Sequence, residues 1–293
     1  MEMTDQWVWI NTLTEMQKAQ EDISSSSIIC VDTEYDSFRY FRDVLCLIQI
    51  EAEKKTYLFD PLGSLDFFFL GKIFADPAIL KVMHAGDNDI RILKRDYGFE
   101  FKNIFDTHRA ASILGCHYLS LSALISQYLC IELKKDKKMQ RSKWETRPLT
   151  REQIHYAVED TAYLKDLYHR LDYEIEQCGF KKRAAQAFDH IAAVTWSEKS
   201  FNPQGYINIK GYQSLTANQK HYLMNLYRWR FQKAKATNMA RFRILSDQSM
   251  VDLAKTEACS IEMLKMTGIL SPEKVSMYGQ EIIETVSLGA VTE

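Results

Sequence analysis

The chain has 293 residues, a length that favours two domains with well-buried cores. Hydrophobic residues make up 46% and charged residues 26%, which excludes a disordered, collagen-like or rod-like coiled-coil chain. Net charge is −2, and that average argues against a uniformly basic nucleic-acid binder. No apolar run approaches the roughly 18 residues of a membrane span, and Met-Glu-Met-Thr-Asp opens no secretory signal. A cytoplasmic location without membrane contact is therefore expected. The six cysteines (Cys30, Cys46, Cys116, Cys130, Cys178, Cys259) are scattered, so neither a disulfide framework nor a zinc site is expected.

In chain order, the apolar and β-branched runs Ser27 to Thr33, Leu45 to Glu51 and Thr56 to Phe59 predict three strands, closed by Asp60-Pro61-Leu62-Gly63. A helix is expected over Leu65 to Phe74, a strand over Ile79 to His84, and a helix from about Asn88 to Tyr97. Asn103 to Asp106 completes five strands, giving an α/β domain: a mixed sheet flanked by helices. Thr150-x-x-Gln153 is a capping box, and Ile154, Ala157, Thr161, Leu164, Leu167 and Leu171 recur at helical spacing. One helix is expected from Arg151 to about Gln177.

Trp196 to Tyr212 holds the Pro/Gly cluster of its region and reads as a linker. Beyond it the pattern is helical. Thr216-x-x-Gln219 caps a long helix, shorter ones follow at Met250 to Ala254 and Ile261 to Met266, and Ser271-Pro272 opens the last. The expected division is 1–200, a linker at 201–211, and a small all-α bundle at 212–293.

Charge is uneven along the chain. Lys134 to Arg151 is a local +6, Lys220 to Arg243 carries seven basic and no acidic residues, and Ile244 to Glu293 is a local −5. Both basic stretches carry aromatics (Trp144; Tyr227, Trp229, Phe231), a composition suited to a phosphate-binding track.

Three acidic signals carry the chemistry. Asp32 and Glu34 are two apart on the first predicted strand and so share a face. His84-Ala85-Gly86-Asp87-Asn88-Asp89 follows the fourth strand and opens a helix; Asp87 suits a capping role, which leaves Asp89 to point elsewhere. Tyr156 and Asp160 are four apart, hence on one helix face.

In combination these signals resemble the DEDD-type 3′–5′ exonucleases, in the tyrosine-bearing branch on a ribonuclease H-like sheet, and bacterial ribonuclease D in particular. The matching blocks are Val31-Asp32-Thr33-Glu34-Tyr35, Leu47-Ile48-Gln49-Ile50, Asp60-Pro61-Leu62, His84-Ala85-Gly86-x-x-Asp89, Asp106-Thr107, Arg147-Pro148-Leu149-Thr150 and Tyr156-Ala157-x-x-Asp160. From about Tyr212 the chain resembles the HRDC module, including Trp229-Arg230 and Val275-x-x-Tyr278-Gly279.

The resemblance implies a metal-dependent exoribonuclease with Asp32, Glu34, Asp89, Tyr156 and Asp160 as active-site residues. Four carboxylates without a soft ligand suit two divalent ions, Mg²⁺ or Mn²⁺. By this resemblance Asp32 bridges the ions, Glu34 and Asp160 hold one, Asp89 supports the second, and Tyr156 orients water. Thr33, His84, Lys137, Arg141, Trp144, Arg228 and Arg230 are candidate substrate contacts. Lys143 stands where the family often has an aspartate before the tryptophan, and Met239 to Arg243 lacks an expected proline.

The implied partner is RNA with a free 3′ end, tRNA precursors being the family's substrate class, and the implied products are nucleoside 5′-monophosphates. Two alternatives are a DNA 3′–5′ exonuclease of a repair pathway and a non-catalytic nucleic-acid-binding protein on the same fold. No G-x-x-x-x-G-K-[ST] loop is present, so no ATP-driven partner activity is expected within the chain.

Overall fold

The computed structural model describes residues 7–133, 138–256 and 260–287. They divide into two units, one of 1–36 with 44–197 and one of 37–43 with 198–293.

The first unit is built on a mixed sheet of six strands in the order β1-β4-β3-β2-β5-β6: β1 (Trp7–Trp9), β2 (Ile28–Asp36), β3 (Val44–Ala52), β4 (Lys55–Phe59), β5 (Leu80–Met83) and β6 (Ile104–Asp106). β2, β3 and β4 form an antiparallel meander, while β5 and β6 continue from β2 in parallel and β1 lies parallel to β4. The five strands expected from the sequence are all present. β1 is the sixth, and three residues, Trp-Val-Trp, are too few to show a period. Seven of the nine residues of β3 are apolar, without alternation, and eight of the nine are buried, as suits a central strand covered on both faces.

α1 (Leu13–Ser25), α2 (Phe69–Ala75) and α3 (Asp87–Tyr97) contribute Ala19, Ile23, Phe74 and Ile90 to one core with Ile29, Val31 and Ile50 of the sheet. α4 (Thr107–Ile113), α5 (Leu121–Leu129), α7 (Leu164–Gln177) and α8 (Lys181–Ala192) enclose a second around Cys30, Val82 and Phe105. α1 went unread in the sequence although Thr12 and Glu15 form a capping box at 3.2 and 2.9 Å.

The long helix expected from Arg151 to Gln177 is two helices, α6 (Arg151–Ala162) and α7, parted at Tyr163 (φ −108°, ψ 0°). Just before the break the buried Thr161 hydroxyl donates to the Val158 carbonyl at 3.2 Å, a back-bond of the kind that bends helices. α6 packs on β2, β3 and β4. It covers a third core of Cys46, Leu47, Leu58, Trp144, Leu149, Tyr156 and Ala157.

The second unit comprises α9 (Ala217–Thr237), α10 (Arg241–Ile244), α11 (Asp247–Thr256), α12 (Ile261–Thr267) and α13 (Pro272–Ser287). Leu223, Leu226, Tyr227 and Ala234 of α9 pack with Leu253, Leu264, Val275 and Ile282. Residues 201–211 are part of this core rather than a free linker. Gly205–Asn208 is a 3₁₀ turn, Ile209 is buried, and Phe201 and Tyr206 pack on Tyr227. Gly205 is required there, because a Cβ would lie 2.1 Å from the Tyr227 hydroxyl.

Ser37–Asp43, the connection between β2 and β3, also belongs to this unit. The Phe41 amide donates to the Asn238 carbonyl at 3.2 Å, and the Ala240 amide to the Arg39 carbonyl at 3.0 Å. The Phe41 ring meets Phe231 edge-on, with centroids 5.2 Å apart. Among the described residues no helix is long and apolar enough to cross a membrane.

Candidate active site

β2 carries two of the acids. It runs past Asp32 and Glu34 to Asp36 instead of ending at Thr33, with Asp32 opposite Gln49 and Glu34 opposite Leu47 on β3. A register shift between Glu34 and Tyr35 marks a bulge, which re-aims the strand immediately beyond the acidic pair. Strand alternation puts Asp32 and Glu34 on one face and Thr33 on the other.

α6 brings the third acid. Its start is set by the Thr150–Gln153 box, with Gln153 N–H donating to the Thr150 hydroxyl at 3.2 Å and Thr150 N–H to Gln153 Oε1 at 2.9 Å. One turn apart on the covered face stand Tyr156 and Asp160, each 9% exposed. Carboxylate oxygens of Asp32, Glu34 and Asp160 all lie within 4.8 Å of one another. The Tyr156 hydroxyl hydrogen-bonds to Asp160, and Glu34 and Asp32 also act on it. Burial first, then the charges of Asp160 and Glu34, hold that phenol far above its ordinary pKa, so it stays protonated.

Asp89 occupies the first turn of α3, is 7% exposed, and stands outside this trio. It accepts a hydrogen bond from the Thr33 hydroxyl, which faces away from Asp32 and Glu34. Burial pushes the Asp89 carboxyl up to about 6 against the lowering effect of Thr33. Asp87, the first residue of α3, pairs with Arg109 at 3.1 Å.

Three carboxylates gathered at this spacing repel one another, and a cation relieves that repulsion. The donors are all hard oxygens, with no thiolate or imidazole in the group, so the set fits Mg²⁺ or Mn²⁺.

The remaining candidates separate by burial. Arg141 lies on an exposed 3₁₀ turn and Arg228 on the exposed side of α9, whereas Lys137 lies outside the described residues. The His84 ring nitrogen Nδ1 is 2.9 Å from the Thr107 hydroxyl, which itself donates to the Met83 carbonyl at 3.1 Å. Nδ1 is therefore the donor in that pair.

Two candidates are corrected as direct substrate contacts. Trp144 is fully buried, its Nε1 donates to the Met139 carbonyl at 3.2 Å, and its ring packs beside Tyr156 at 6.0 Å between centroids. Arg230 is 5% exposed and donates to Asp247 at 2.8 Å and to the Leu245 carbonyl at 2.9 Å. Both belong to cores, and an aromatic or a cation in a basic run carries no mark of burial in the sequence.

Sequence reasoning also left two supporting groups without a role. Asp106 caps α4, accepting from the Arg109 amide at 2.8 Å and the Gly86 amide at 2.9 Å, and so ties the start of α3 to β6. Arg147 grips Asp60 with two bonds of 2.6 Å and donates to the carbonyls of Cys46 and Trp144, also at 2.6 Å. That clamp secures the segment preceding α6 against β3 and the end of β4. Both lie in the quoted sequence blocks, which was the available signal.

Two acids on β2 and one on α6, with a protonated phenol beside them, form a donor set suited to metal-assisted hydrolysis. A family model described as 3′–5′ exonuclease matches residues 7–176, and a second, the HRDC domain, matches residues 219–286. The chain belongs to the 3′–5′ exonuclease family, whose members are metal-dependent.

Ribonuclease D of Pseudomonas paraeruginosa is 28% identical over 284 residues, spanning 96% of this chain and 74% of that protein. The exosome complex component 10 homolog of Drosophila melanogaster is 29% identical over 84% of this chain, and the match spans only 28% of that relative's length. The catalytic core of RRP6 from Trypanosoma brucei (mutant C496S) has the same fold, with a TM-score of 0.89 at 21% identity over 100% of this chain and 83% of that one.

Proposed function

We propose that this protein is a 3′–5′ exoribonuclease that hydrolyses the terminal phosphodiester of RNA and releases nucleoside 5′-monophosphates, with structured RNAs such as tRNA precursors as substrates. The observation that carries the reading is the convergence of Asp32, Glu34 and Asp160 within 4.8 Å beside the hydroxyl of Tyr156. In this reading Asp32, Glu34 and Asp160 would hold a divalent ion, and Asp89, fixed by Thr33, would support a second. Bound divalent ions supply charge neutralisation at the scissile phosphate and lower the pKa of a coordinated water.

The chain's own groups do the positioning. Tyr156 keeps its proton at neutral pH and therefore acts as a hydrogen-bond donor, orienting the attacking water and meeting charge that builds on the phosphate. Thr33 fixes the Asp89 carboxylate, and Trp144 supports the Tyr156 ring.

The test compares hydrolysis of 3′-labelled RNA and matched single-stranded DNA with Mg²⁺, with Mn²⁺ and with chelator. Metal-dependent release of mononucleotides from RNA, poor on DNA and absent in Asp32→Ala, is the expected result. Preference for DNA overturns the RNA assignment. Metal-independent release, or full activity in Asp32→Ala, overturns the site.

A further inference from the structure

The basic run Lys220 to Arg243 resolves in the structure into internal and external parts. Arg230 is buried on Asp247, Lys233 pairs with Glu281 at 2.5 Å, and Lys235 pairs with Glu198. Its aromatics Tyr227, Trp229 and Phe231 pack in the helical core. The aromatic that does face outward is one the run did not single out. Phe242 on α10 is 47% exposed, between the exposed Arg241 and Arg243.

Phe242 has a companion. Phe38, on the Ser37–Asp43 connection, is 64% exposed, and the two ring centroids are 4.9 Å apart at an interplanar angle of 42°. Both rings line a cavity of about 570 Å³ within the second unit. Arg241 lines it too, as do Lys199, which donates to the Phe41 carbonyl at 2.8 Å and pairs with Asp43 at 3.7 Å, and Arg230, which engages Asp247, the one carboxylate in that lining, at 2.8 Å. The rings are held in place by backbone, since the Arg39 carbonyl and the Ala240 amide, one residue on from Phe38 and two before Phe242, bond at 3.0 Å.

We infer that Phe38 and Phe242 form a stacking platform for bases of single-stranded RNA upstream of the 3′ terminus, with Arg241 and Arg243 receiving its phosphates. Two exposed aromatic faces beside cations, with the local acid already neutralised, match a polyanion that carries π-faces. Phe38 follows Glu34 by four residues, so their Cα atoms lie within about 14 Å of each other, a span of a few nucleotides. The inference rests on the RNA-cleaving reading for its substrate, but its test does not require cleavage.

The full-length protein and its Phe38→Ala, Phe242→Ala and double variants are titrated, in chelator, into a labelled oligoadenylate of about ten nucleotides. A dinucleotide, the shortest substrate with a scissile bond, is assayed in parallel for cleavage with metal present. Each ring variant is expected to raise Kd for the longer RNA about 5- to 30-fold while leaving the dinucleotide KM and kcat unchanged. Arg241→Gln is expected to flatten the salt dependence of binding by about one counterion.

Unchanged affinity for the longer RNA in the double variant overturns the platform. So does an equal loss on the longer RNA and the dinucleotide, which signals a disturbed active site instead. If the wild type binds RNA through these rings but cleaves nothing with either metal, the platform stands and the exonuclease reading falls.

Discussion

Tyr156 stands one helical turn before Asp160, and every influence on its hydroxyl (burial, Asp160, Glu34, Asp32) works to keep the proton on. A phenol in that state serves as a donor and not as a base. Tyr156→Phe removes the donor while the ring remains packed on Trp144, so kcat should fall about 10²-fold with the metal concentration for half-activity unchanged. Because the group does not titrate in the working range, the rate profiles of the two proteins between about pH 7 and 9 should differ in height and not in shape. An alkaline limb present in the wild type and lost in the variant would assign Tyr156 a base role instead. At this scale Asp32, Glu34, Tyr156 and Asp160, which the structure brings together, could be nominated because their order and spacing, Asp-x-Glu and Tyr-x-x-x-Asp, survive in one dimension. The division of labour among the acids was not legible. That Asp89 is held by the Thr33 hydroxyl and stands outside the trio depends on where α3 lands, which is not written in the spacing.

The elements that hold the site are aligned by one cation. Arg147 reaches the Asp60 carboxylate after β4, the Cys46 carbonyl on β3 and the Trp144 carbonyl ahead of α6, with its guanidinium 5.6 Å from the Trp9 ring of β1. A planar fork is needed to satisfy these acceptors together, and an ammonium cannot do so. Arg147→Lys should therefore lower stability by about 2 kcal/mol, since it breaks bonds to a partly buried carboxylate and strands carbonyls near Trp144. Urea unfolding measures that loss, and kcat is expected to fall with it because α6 carries both Tyr156 and Asp160. A stability unchanged within about 0.5 kcal/mol would show the clamp to be dispensable. Element type was readable where periodicity ran long, as in α6, α9 and the meander strands. It failed at β1, too short to have a period, and at the α6–α7 junction, where the apolar spacing continues through Tyr163 although the backbone turns.

Across the whole molecule, the connection between β2 and β3 has changed allegiance. The sequence divides cleanly near Trp196 to Tyr212, yet Ser37–Asp43, more than 150 residues earlier, packs in the helical unit. Nothing in its composition announces this, because Phe41 is buried by partners on α9 and beyond and not by its neighbours in sequence. The chain thus passes between units at 36/37, 43/44 and 197/198, and the first two crossings fall at the end of the strand that bears Asp32 and Glu34 and at the start of the strand paired with it. Unfolding of the helical unit must release this loop, while the β2–β3 ladder stays closed by its own hydrogen bonds. Phe41 is 3% exposed, and Phe41→Ala leaves a cavity against Phe231 that should cost about 3 kcal/mol. Hydrogen exchange should then show protection lost in α9 and α11 but retained in β2 and β3, in keeping with units that open separately. Equal loss of protection in both sets of elements would instead mean that the loop couples them into one cooperative body, with active-site geometry and helical packing rising and falling together.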